Sequence, residues 1–152
     1  MDKKALSLIQ DVRYELGASV LLVASEDGQA LLCEGNEEPQ TMSLLAALGA
    51  AGLSAMQEVL TTSFRLMEPE KEQLLTLEIS AGFILVLSMS PFIFLAVIRD
   101  KGRLGLARLL LRRLATQVAW ENLFQMEEAA SQPPLPQQPD AGEDLFRNLW
   151  AR

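Results

Sequence analysis

The chain has 152 residues, 49% of them hydrophobic, and a formal net charge of −7. That length suits one domain with a sizeable core, and the acidic balance argues against sequence-independent binding to nucleic acid. With one cysteine, Cys33, and no histidine, an intramolecular disulfide is impossible, a zinc site lacks its ligands and the commonest acid–base catalyst is missing.

The sequence holds no phosphate-binding GxxxxGK[ST] loop, no GxGxxG and no GxSxG, so it lacks the motifs of nucleotide hydrolases, dinucleotide enzymes and serine hydrolases. Neither enzymatic activity nor a cofactor or metal is expected. The N-terminal MDKKALSLIQDVRYEL is broken by Gln10, Asp11 and Arg13 too early for a signal peptide. Together with the lone cysteine this predicts a cytoplasmic protein.

Residues 2–16 read as an amphipathic helix, with Ala5, Leu6, Ile9, Val12 and Leu16 at helical spacing and Gly17 as its stop. ASVLLVAS at 18–25 and QALLC at 29–33 form a hairpin around Glu26-Asp27-Gly28. An acidic loop at 35–39 leads to a second helix at 41–60, with Thr41 as its N-cap.

That helix has two different halves. Leu44, Leu45, Leu48, Leu53, Met56, Val59 and Leu60 read as the stripe facing the core. The other half is small and almost uncharged, and Ala47, Ala50, Ala51 and Ser54 share a patch at i, i+3, i+4 and i+7. Either this patch is a close helix–helix contact between subunits, or it is an exposed face chosen for helix propensity.

Residues 64–68 read as an irregular extended segment, followed by a polar turn at 69–72. QLLTLEIS at 73–80 is the next strand, with Leu75, Leu77 and Ile79 on one face and Gln73 among those on the other. Its weaker apolarity suggests a sheet edge.

The uncharged run 79–98, ISAGFILVLSMSPFIFLAVI, is long enough to span a bilayer. Pro91, flanked by Ser88 and Ser90 at its centre, instead divides it into two strands. Their continuous apolarity requires cover on both faces. A third helix follows at 104–124, with Leu106, Leu110, Leu114, Val118 and one of Trp120 or Leu123 on its apolar side. Six of the 13 basic residues fall between Arg99 and Arg113, a concentration that suits either an acidic partner or a solvated helix face.

The domain is expected at 1–125, a Pro/Gln-rich linker with PPLPQQP at 126–142, and a short amphipathic helix at 143–152. In that last helix Leu145, Phe146, Leu149 and Trp150 form one apolar face. About ten residues do not hold a helix alone, so this face docks on its own domain, on another subunit or in a partner's groove.

The order is helix, hairpin, helix, three strands, helix. VLLVASEDGQALL lies in the hairpin, and FIFLAVIRDKGRLGLARLLLRRLA runs from the last strand into the third helix. This pattern resembles the roadblock/dynein light-chain family, and within it the bacterial and archaeal MglB-like members. Asp27-Gly28 matches the tip of the family's first hairpin, and Leu95, Gly105 and Arg108 match its second stretch. The resemblance covers residues 6–119, and the run 63–72 departs from the short connection common in the family.

The resemblance implies a three-layer α+β (α/β) domain: a five-stranded antiparallel sheet, one helix on one face and two on the other. It implies a homodimer, with second helices packed together through Ala47, Ala50, Ala51 and Ser54 and third strands paired. It further implies a regulator, activating or exchange-promoting, of a small Ras-like GTPase of the MglA-like kind, which it binds without supplying catalytic chemistry. Leu145, Phe146, Leu149 and Trp150 are then the partner-binding residues, and no membrane insertion is expected. The alternative is a scaffold or adaptor with no effect on nucleotide turnover.

Overall fold

The computed structural model describes residues 3–63 and 72–120, with Asn122 and Phe124. Its elements are α1 (Lys3–Leu16), β1 (Ala18–Ser25), β2 (Ala30–Gly35), α2 (Pro39–Thr62), β3 (Glu72–Ile79), β4 (Gly82–Met89), β5 (Phe92–Ile98) and α3 (Leu104–Gln117). Contacts divide the chain into two units, Met1–Trp120 and Glu121–Arg152. The segment 64–68, the linker and the C-terminal amphipathic segment lie outside the described residues.

The apolar run 79–98 folds as an antiparallel pair, β4 and β5, in register from Phe83 opposite Ile98 to Met89 opposite Phe92. Pro91 follows a cis peptide bond in the turn between them. At the preceding turn Gly82 has φ +145, and a Cβ there would stand 2.0 Å from the Ile98 carbonyl oxygen. Only glycine fits so close to a neighbouring strand.

The sheet order is β2-β1-β5-β4-β3, all neighbours antiparallel. β1, β4 and β5, the most apolar strands, therefore sit inside the sheet, and β3 is an edge as its composition predicted. Alternation along β3 separates the two layers that cover the sheet. Gln73 bonds Gln57 of α2 and Leu75 lies beside Gly52 of α2, whereas Glu72 and Thr76 meet Arg112 and Arg108 of α3. Gln73 thus shares the α2 face with Leu75, contrary to expectation, because residues two apart in a strand point the same way.

The α2 layer packs on Val20, Leu22, Ala24, Val86, Ile93 and Leu95 through Met42, Ala46, Ala50 and Leu53. On the opposite face α1 contributes Ala5, Ile9, Val12 and Leu16, and α3 contributes Ala107, Leu110, Leu111, Leu114 and Ala115. Trp120 closes this layer. Its ring stands edge-on to Phe94 with centroids 5.6 Å apart, and its Nε1 donates to the Leu114 carbonyl at 3.1 Å.

Three expectations are corrected. α2 starts at Pro39 rather than Thr41, because proline at the first helical position gives up only an N–H that has no partner there. α3 ends at Gln117, where Val118 turns to extended backbone. Leu106, expected on the apolar side of α3, is exposed.

Candidate functional site: the outward face of the second helix

Helix α2 lies on the sheet by Met42, Ala46, Gly49, Ala50 and Leu53. Gly49 is the point of closest approach, since a Cβ added there would stand 3.0 Å from Leu95 Cδ1 and 3.4 Å from Val86 Cγ1. Glycine inside a helix costs about 1 kcal/mol relative to alanine, so a packing reason is expected where it occurs. Here it lets the helix axis come down onto two central strands. Ala46 and Ala50 flank this contact in the same buried cluster. At the hairpin tip Gly28, with φ +91, also approaches the helix closely, and its Cβ position is 3.0 Å from Ala47 Cα and 3.3 Å from Ala50 Cβ.

Seating α2 this way turns four of its large side chains outward. Leu44 and Leu48 are 60% and 61% exposed, and Met56 and Val59 are exposed as well. These four were expected in the core, and the structure overturns that expectation for all of them. Leu44, Leu48, Ala51, Ala55 and Val59 stand at i, i+4, i+7, i+11 and i+15, a continuous apolar stripe along the solvent side. Next to α2, Leu77 of β3 is also exposed, and it points to the α2 side as Leu75 does. The outer edge of β3 has no neighbouring strand among the described residues.

The small-residue patch divides under this geometry. Ala47, Ala51 and Ser54 are exposed, whereas Ala50 is buried at 7% against the sheet. Ala50 is therefore a core residue. The outward residues that the sequence reading missed are Leu44, Leu48, Met56, Val59 and Leu77. The signal that could have found them was Gly49 together with Gly52, which mark the side of the helix that has to lie close to something.

By length and composition α2 is apolar enough to cross a membrane. Its buried residues Met42, Ala46, Gly49, Ala50 and Leu53 instead make it one layer of the domain. What α2 presents to solvent is a stripe of hydrocarbon side chains. Among the described residues no three His, Cys, Asp or Glu side chains gather in a way that could hold a metal ion. Cys33 is half-buried against the α2-side core, and burial pushes its thiol pKa up, away from the reactive thiolate. Leu145, Phe146, Leu149 and Trp150 lie outside the described residues.

No protein-family model matches the sequence, and no curated protein does. Solved structures do match. Myxococcus xanthus MglB superposes with a TM-score of 0.63 at 17% identity, over 84% of this chain and 98% of that one. The fold is that of the roadblock domain in its MglB-like form. An MglB with a tetrameric arrangement matches at a TM-score of 0.63 and 20% identity, over 77% of this chain and 86% of its own. A Roadblock/LC7 domain from Streptomyces avermitilis matches at 0.55 and 17%, over 72% of this chain and 92% of its own. The sheet order and the one-against-two division of the helices described above are thus those of a roadblock-like α+β domain.

Proposed function

We propose that this protein is a homodimeric regulator of a small Ras-like GTPase, binding the GTPase without supplying catalytic chemistry. The observation that carries this reading is the apolar outward stripe of α2 beside the open edge of β3, in an MglB-like roadblock fold. Leaving two leucines half or more exposed forgoes roughly 1–2 kcal/mol of burial for each. A second copy recovers that burial when the two α2 helices pack side by side and the β3 edges pair. In this reading Leu44, Leu48, Met56, Val59 and Leu77 form the dimer contact. Ala47, Ala51 and Ser54 stand at its flank, and Ala50 supports it from beneath.

The twofold platform binds the GTPase at its switch regions and activates hydrolysis or promotes exchange. The C-terminal residues Leu145, Phe146, Leu149 and Trp150, tethered by the proline-rich linker, supply a second contact to the same partner at high effective concentration. The site of action is the cytoplasm.

The test is capture of a small Ras-like GTPase of the MglA kind in its GDP and GTP-analogue states, followed by hydrolysis and exchange assays. Preference for one nucleotide state with a changed turnover supports regulation. Equal capture of both states with unchanged turnover makes the protein a scaffold, and no capture in either state overturns the reading.

A further inference from the structure

Charge is segregated between the two sides of the sheet. Every described lysine and arginine lies in α1, in α3 or in the turn Lys101–Arg103 with its neighbour Arg99. Between Tyr14 and Ser63, a stretch that includes the hairpin and all of α2, the chain carries only acidic charges. The protein as a whole is at −7, yet its α1/α3 layer is net basic, since nine described lysines and arginines there outnumber Asp11, Glu15, Glu72, Glu78 and Asp100, the last three of which pair with Arg112, Lys101 and Arg103.

That layer also carries apolar side chains in the open. Leu106 and Leu109 are 47% and 54% exposed, and Tyr14 of α1 is 87% exposed, opposite that helix's buried side. Leu106, Leu109 and Arg113 stand at i, i+3 and i+7 and share one side of α3. On its other flank Arg108 Nη2 donates to Thr76 Oγ1 at 3.3 Å, and Arg112 Nε meets Glu72 Oε1 at 2.6 Å. These contacts hold α3 on the edge strand while leaving both guanidinium groups at the surface.

We propose that the α1/α3 layer is a peripheral docking surface for an anionic lipid bilayer. Leucine and tyrosine standing among arginines is the pattern of helices that lie in a lipid interface, with apolar side chains at headgroup depth and guanidinium groups on phosphates. The charges are spread along two 14-residue helices, each about 21 Å long, rather than gathered around one point. A flat, extended anionic surface matches that distribution better than a short acidic peptide does. Because the opposite side is acidic, a negative bilayer repels it and admits only this orientation. The α2 stripe is left facing away from the lipid, open to a second copy.

The test is co-sedimentation of the full chain with vesicles of phosphatidylcholine alone and with about one third phosphatidylglycerol. Binding is expected only to the anionic vesicles and is expected to disappear near 0.5 M salt, where screening is nearly complete. Arg113→Gln should weaken partition about fivefold, the worth of one basic residue near such a surface. Leu106→Ser with Leu109→Ser should weaken it further at unchanged circular dichroism, since neither side chain is in the core. Failure to bind anionic vesicles at low salt overturns the proposal, and so does equal binding to neutral ones. Binding indifferent to both variants also overturns it. If poly-glutamate binds this face while vesicles do not, the occupant is an acidic protein and the lipid assignment is wrong.

Discussion

Gly49 of α2 and Leu95 of β5 are in such close contact that a single added carbon at Gly49 would come within 3.0 Å of Leu95 Cδ1. Two effects compete when this glycine is replaced. Alanine gains about 1 kcal/mol of helix propensity, and the flexible end of Leu95 needs to move only slightly. Valine adds carbons that meet both Leu95 and Val86, and overpacking of this kind costs about 1–3 kcal/mol. Urea denaturation should therefore show Gly49→Ala close to neutral and Gly49→Val clearly destabilised. A valine variant as stable as the parent would mean that α2 does not sit this close to the sheet.

Exposed and buried positions on α2 should respond differently to the same arginine. Leu48→Arg places the charge on the outward stripe, and light scattering should report a folded monomer. Ala50→Arg forces a cation into the packed layer between α2 and the sheet, a burial of charge without a partner. That variant should lose its cooperative thermal transition. If Leu48→Arg kept a dimer's mass, the subunit contact would lie on another face.

Trp120 joins the end of α3 to the sheet through the Phe94 ring and the Leu114 carbonyl. Truncating a buried tryptophan to alanine typically costs about 3–5 kcal/mol. Trp120→Phe should retain most of the packing but lose the indole hydrogen bond, worth about 1 kcal/mol. Chemical denaturation of the two variants should show this order, with alanine several-fold worse than phenylalanine.

The hairpin tip supplies a pH signature. The hydroxyl of Ser25 donates to the Asp27 carboxylate and is the main reason that its pKa lies below the ordinary carboxylate value. A depressed folded-state pKa contributes stability above the unfolded value, and that contribution is lost as pH falls through the folded value. Asp27 is fully exposed, so the readout should be its own titration. In Ser25→Ala, carboxyl chemical shifts should place the Asp27 midpoint higher than in the parent. Identical midpoints would remove the hydroxyl as the cause.

The C-terminal segment should act on the partner rather than on the fold. Trp150→Ala is expected to leave the thermal midpoint nearly unchanged, whereas a structural loss of about 1 kcal/mol would lower it by a few degrees. The same variant should weaken GTPase capture about 30-fold, corresponding to the 2 kcal/mol of a buried tryptophan anchor. A lowered midpoint with unaltered capture would make the segment a structural flap.

Much of the fold was legible in the residues themselves. Pro91 between two short apolar runs excludes a continuous helix through 79–98, since proline removes a donor and clashes with the preceding turn. Asp27-Gly28 supplies the positive φ of a hairpin tip, and β1 appears at the bounds its composition suggested. These features are local, so neighbouring residues are enough to decide them. The orientation of α2 is not local. A helix with leucines on one half and alanines on the other can bury either half, and hydrophobicity alone favours the leucines. The sheet decides otherwise, because Leu95 and Val86 already fill the space that a leucine at position 49 would need, and the face that carries Gly49 is buried, with Met42, Ala46, Ala50 and Leu53 packed around it. Leu44 and Leu48 are consequently left outside, where a second copy can cover them. The same holds for the basic residues: their clustering between Arg99 and Arg113 is written in the chain, but their joining with α1 into one layer opposite the acidic side exists only once the sheet separates α1 and α3 from α2.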